Sequence, residues 1–102
     1  MSLDDRFPEM STNELGYGAL QLLKNPALAV WFFRQNVDLY PESANAYDSL
    51  GDGLLAKGDT TAAIAQFKRA VEIAARTKDP VLSESQRKLK ALEANQAKGK
   101  GQ

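Results

Sequence analysis

The residues of this 102-residue chain that come closest to a reactive constellation are Asp48-Ser49-Leu50-Gly51-Asp52-Gly53. Their order superficially matches a calcium loop. The match fails because Leu50 occupies a position that needs an oxygen ligand, and the segment lies inside a helical pattern. Asp48 and Asp52 stand at i and i+4, which puts both carboxylates on one helix face. Paired carboxylates carry out acid–base chemistry only around a bound substrate, and an acid pair on an exposed helix face is the ordinary reading. No G-x-S-x-G elbow and no phosphate-cradling loop is present. Lys98-Gly99-Lys100-Gly101 is too short and too terminal for one. Arg87, Lys88 and Lys90 form a basic cluster without interleaved aromatics, which does not favour nucleic acid. The chain has no histidine and no cysteine. Disulfides, thiol chemistry, Cys/His zinc sites and histidine-based triads are therefore excluded. No residue is assigned a catalytic role, and no cofactor or metal site is expected.

The formal net charge is zero, so no bulk field draws the chain to nucleic acid or membrane. The charge is uneven, however. Residues 1–60 hold nine acids and four bases, and residues 61–102 hold four acids and nine bases. Such asymmetry steers a partner or a second copy of the chain. The simpler reading is a C-terminal helix with a solvated basic face. No apolar run approaches the roughly 18 residues of a membrane span. Met1-Ser2-Leu3-Asp4-Asp5-Arg6 has no apolar stretch of signal-peptide length. The expectation is a soluble chain of open compartment.

The elements that would position these residues are announced by a repeat. Phe33-Arg34-Gln35-Asn36-Val37-Asp38-Leu39 returns as Phe67-Lys68-Arg69-Ala70-Val71-Glu72-Ile73, 34 residues later. Leu15-Gly16-Tyr17-Gly18 returns as Leu50-Gly51-Asp52-Gly53 at an offset of 35. A period near 34 marks stacked helical hairpins. Caps and breakers predict an extended lead-in over 1–10 and helices over about 12–23, 26–39, 44–57, 60–75 and 80–96. Ser11, Asn25, Ser43 and Asp59 or Thr60 serve as N-caps. Residues 98–102 read as a frayed tail. The expected fold is all-α, with hairpins at 11–41 and 43–76 inside a helical domain spanning 11–97.

Tyr47, Leu50, Gly51 and Leu54 fall on one helical face, as do Ala63, Phe67, Ala70 and Val71. Glycine inside a helix costs roughly 1 kcal/mol relative to alanine, so Gly16 and Gly51 need a packing reason. Gly51 opposite Ala63 would allow close backbone approach. Val81, Leu82, Leu89 and Leu92 form the expected inner stripe of the last helix.

This pattern resembles the tetratricopeptide repeat (TPR) family. Over 44–77 the match is Tyr47, Leu50-Gly51, Leu54, Ala63, Phe67 and Ala70, with Ala75 where the family often has proline. Over 10–43 it is Leu15-Gly16, Ala29, Phe33 and Pro41, with Asn36 in place of the usual alanine and one extra residue around Lys24-Asn25-Pro26. The resemblance implies a right-handed α-solenoid fragment of two TPR-like hairpins closed by a capping helix. A narrower resemblance rests on Pro8-Glu9, Asn13-Glu14-Leu15-Gly16-Tyr17 and the run from Asn36 to Asp52. It is similar to the TPR tail found after the catalytic domain of some bacterial serine hydrolases, both α/β-hydrolase esterases and β-lactamase-like enzymes. It implies a non-catalytic accessory domain that docks on its catalytic domain or mediates dimerisation. The alternative is a free-standing adaptor that holds an extended peptide in a concave groove. The family's groove positions map to Asn13, Tyr17 and Gln21 of the first hairpin and to Asn45, Asp48 and Asp52 of the second. Such a groove is polar to acidic, and like-charge repulsion argues against acidic peptides.

Trp31 is the remaining anomaly. Phe33 is accounted for by the core and Phe32 by partial burial against the neighbouring hairpin. Trp31 lies about 200° round the helix from Phe33. Either Phe7 of the lead-in covers it, or it marks a second contact surface.

Overall fold

The computed structural model describes residues 11–100, with side chains through Ala97. Those residues form five helices: α1 (Thr12–Gln21), α2 (Pro26–Leu39), α3 (Ala44–Lys57), α4 (Thr60–Thr77) and α5 (Leu82–Lys100). No strand occurs among the described residues. Each helix packs on the next, and α1 also touches α3. The lead-in over 1–10 and the last two residues of the expected tail lie outside the described residues.

The starts of the helices follow from their caps. The side-chain oxygens of Ser11, Asn25, Ser43 and Asp59 accept the backbone N–H of Glu14, Leu28, Ala46 and Ala62. Each satisfies one of the donors that a helix leaves orphaned at its N-terminus. Pro26 sits in the first turn of α2, where its missing N–H does no harm.

The ends differ more from expectation. α1 stops at Gln21, and the N–H groups of Leu22 and Leu23 both turn back to the Gly18 carbonyl. The chain reverses through Lys24, whose φ of 53° lies in the left-handed region. This is where the first hairpin carries its extra residue. α3 ends on Gly58 at φ 93°, which glycine adopts without strain. α4 ends on Lys78 at φ 59°, which a side chain disfavours. α5 runs to Lys100 rather than fraying at 98. Ala94–Ala97 is good helix-forming sequence, and nothing ahead of Gly99 interrupts it.

Two phenyl rings hold the hairpins together. Phe33 of α2 and Phe67 of α4 are fully buried. A methyl group added at Gly51 would stand 2.6 Å from the Phe67 ring. One added at Gly53 would stand 2.7 Å from Phe33, and one at Gly16 would strike Phe33 from α1. The Phe33 ring therefore lies between a glycine of α1 and a glycine of α3. The atoms nearest an added Gly51 methyl are those of the Phe67 ring, with Ala63 buried in the same core. A helical side chain covers the turn before its own Cα, so the bulky ring reaches the glycine that simple pairing assigns to alanine. Ala29, Leu50, Leu54 and Ala63 complete this core, with Leu89 and Leu92 of α5 packed on it. A second cluster, Ala44, Ile73 and Ala74, receives Tyr47, Val81 and Leu82. All four residues of the expected α5 stripe thus touch the body.

Gly51→Ala and Gly53→Ala each lower stability by about 1–3 kcal/mol, the usual penalty of overpacking. Gly18→Ala, where an added methyl meets nothing within 4 Å, raises it by roughly 0.5–1 kcal/mol. Urea denaturation of the three variants checks the difference in sign.

Candidate functional site

The residues singled out for the groove are positioned by two helices, α1 and α3. Tyr17 comes from α1, Asp48 and Asp52 from successive turns of α3. The Tyr17 ring packs edge-on against Phe33 at 4.9 Å. Its hydroxyl donates to Asp52 Oδ2 at 2.7 Å and lies 3.2 Å from Ser49 Oγ. Asp48 is 4 % exposed and not a solvated surface acid.

The two carboxylates do not face an empty groove. Lys88 of α5 places its Nζ 2.8 Å from Asp48 Oδ2 and 3.1 Å from Asp52 Oδ1. Ser85, one turn earlier on α5, donates its hydroxyl to Asp48 Oδ1 at 2.7 Å. Both oxygens of the buried carboxylate are thereby satisfied, which its burial requires. The same ammonium stands 5.6 Å from the centre of the Phe67 ring, within reach of a cation–π attraction. Lys88 is thus the hub of a polar cluster where α1, α3 and α5 meet.

Two expectations are corrected here. The acids are not a free groove lining, and the basic residues of α5 are not all solvated. Arg87 and Lys90 are exposed, and Arg87 pairs with Glu84 on the same helix. Lys88 points inward. Sequence reasoning misses Ser85 and Lys88 as site residues, although the sequence carries a signal for them. They fall at i+4 and i+7 from Val81, inside the stripe made with Leu82, Leu89 and Leu92. A serine and a lysine interrupting an apolar stripe need a polar partner on the opposing helix.

The other groove positions are not drawn into the cluster. Gln21 and Asn45 are exposed. Asn13 is half-buried, and its side-chain oxygen is buried without a hydrogen-bond partner.

Burial pushes the Tyr17 phenol pKa up, and Asp52 adds to the shift. Burial acts to lower the Lys88 pKa, but hydrogen bonds to Asp48 and Asp52 and their charge outweigh it and hold it above its ordinary value. A protonated amine is not a nucleophile and a protonated phenol is not a base. In this arrangement the groups tie helices together. Among the described residues no group of three or more acids is placed to hold a metal ion. No helix among them is long and apolar enough to cross a membrane.

A second surface lies on the first hairpin. Leu15, Gly18, Ala19, Leu22 and Leu23 of α1 and its C-terminal turn face Leu28 and Phe32 of α2 across an open cavity of about 350 Å³. Leu22 is 83 % exposed and Leu23 66 %. Trp31 is 56 % exposed and meets the edge of Phe32 at 5.3 Å. Phe32 is half-buried as expected, packed against the core cluster, and it also lines this cavity. Phe7, the proposed cover for Trp31, lies outside the described residues.

No protein-family model, no curated protein and no solved structure matches this chain.

Lys88→Met strips two carboxylates of their counter-ion and lowers stability by about 3 kcal/mol, the lower end for breaking a buried pair. The pH dependence has a fixed sign. Both Tyr17 and Lys88 bind protons more tightly folded than unfolded, so their stabilisation is whole below about pH 10 and is lost as pH rises further. Thermal melts from pH 8 to 11 show this decline, and it is shallower in Tyr17→Phe and in Lys88→Met.

Proposed function

We propose that this chain is a non-catalytic protein–protein interaction module whose contact surface is the apolar face of the first hairpin. The observation that carries the reading is the adjacent exposure of Leu22 and Leu23 beside Leu15, Phe32 and Trp31. Contiguous apolar surface of this kind marks contact sites. Burying Leu22 and Leu23 against a partner is worth roughly 1.5–3 kcal/mol each, and tryptophan is a typical anchor of such contacts.

The repeat and its aromatic–glycine pairs support a TPR-like pair of right-handed hairpins with α5 as the cap. Such stacks need their last apolar face covered. α5 brings a polar outer surface to the end formed by α4, while the α1–α2 end presents leucines. The resemblance to the tails of bacterial serine hydrolases supports the narrower reading. The module is an accessory domain that docks on its own catalytic domain or on a second copy through the α1–α2 end. The adaptor reading fits less well, because Tyr17, Asp48 and Asp52 are already engaged by neighbouring side chains.

The test weighs the native assembly, taken from its source cells under non-denaturing conditions with an antibody to this chain. A mass well above the 11.1 kDa of one chain is expected, falling when Trp31→Ala or the pair Leu22→Ser and Leu23→Ser is introduced, with the thermal melt retained. A mass of one chain alone, or an assembly indifferent to all three substitutions, overturns the reading.

A further inference from the structure

α5 is attached differently from the other helices. Between its flanking leucines it is held by two polar residues, Ser85 and Lys88, which meet one buried and one half-buried carboxylate of α3. Farther along, Lys68 of α4 pairs with Glu93 at 3.8 Å. Contacts of this kind specify their partner more sharply than apolar burial does, because no other side chain satisfies Asp48 and Asp52 together. Without α5, Asp48 loses both its hydroxyl donor and its counter-ion and is left to water.

The link between α4 and α5 is short and strained. Lys78 adopts φ 59°, whereas the comparable turn after α3 uses Gly58. Asp79 follows, its side chain accepting the Val81 N–H and its carbonyl the Leu82 N–H. Pro80 disfavours helical backbone at Asp79, so α4 and α5 cannot merge into one straight helix when the turn opens. A short hinge under strain favours exchange of the element beyond it between copies.

We propose that α5 exchanges between two copies of this chain, so that Ser85 and Lys88 of each copy seat on Asp48 and Asp52 of the other. The occupant follows from complementarity. A second α5 carries the same serine, lysine and leucines at the same spacing and reproduces every contact of the closed form. The two forms then differ only in the hinge and in the loss of independent motion of two chains. Each polar cluster of the dimer is completed by the other copy.

Charge complementation tests this. Lys88→Glu puts three carboxylates at one seat, and Asp52→Lys puts two ammonium groups beside Asp48. Each variant alone seats α5 poorly. In an exchanged pair, the copy carrying Lys88→Glu receives a native α5 on its native seat. Its own α5 sets the introduced carboxylate beside the introduced ammonium of the copy carrying Asp52→Lys. Mixing the two variants is expected to yield a species of twice the mass of one chain with its melting temperature restored. Two monomers that persist after mixing, or mixed dimers no more abundant than either variant's own, overturn the proposal. A second readout leaves the seat intact. Lys78→Gly relieves the left-handed residue and lowers the dimer fraction about fivefold, and deleting Asp79 and Pro80 makes the dimer dominant. A deletion variant that stays monomeric overturns the exchange. Both measurements are made in a Leu22→Ser, Leu23→Ser background, which removes contacts of the first hairpin and leaves exchange of α5 as the source of any dimer.

Discussion

Everything in this structure depends on two phenyl rings pressed against helical backbone. Phe33 and Phe67 need flat surfaces free of Cβ atoms, and Gly16, Gly51 and Gly53 provide them. The close approach fixes how far α1 and α4 stand from α3, and hence where the α3 carboxylates lie relative to the neighbouring helices. Tyr17 leans on Phe33 and reaches Asp52, and Lys88 lies over Phe67 and reaches Asp48. The polar cluster is therefore registered by the aromatic core beneath it. A glycine that weakens its own helix by roughly 1 kcal/mol is retained where it admits a ring that buries far more.

The cluster has two negative charges and one positive, with two hydroxyl donors from Tyr17 and Ser85. Pairing of this kind adds little net stability over an apolar contact but penalises every wrong arrangement. Its effect is on specificity. It sets the register of α5 along α3, because the few apolar residues of α5 leave that register loosely defined. The hinge at Lys78 acts in the opposite direction, because seating α5 on its own body needs a backbone conformation that a lysine resists.

Helix order, the four N-caps and the buried rings are legible in the sequence because each rests on local spacing. Ser43 and Asp59 stand directly before periodic apolar runs, and Phe33 and Phe67 recur at the repeat period. What is not legible depends on direction rather than spacing. Spacing alone pairs Ala63 with Gly51, and does not show that the long reach of the Phe67 ring toward its helix N-terminus sets that ring against the same glycine. Lys88 groups with Arg87 and Lys90 because charge runs read as surface along a line. On the helix, Lys88 is turned inward with Leu89 and Leu92, while Arg87 and Lys90 face water. The left-handed turn at Lys24 shows in the sequence only as an extra residue in the first repeat, since lysine gives no hint of a positive φ.

The single tryptophan of the chain sits on the outer surface of the first hairpin, while both core rings are phenylalanines. Indole emission in this protein therefore says little about whether the core is packed. It responds to what covers Trp31. A blue shift on adding another molecule signals loss of water at the first hairpin. The molecule carries its own optical label on the face most suited to contact, and the label is blind to the interior.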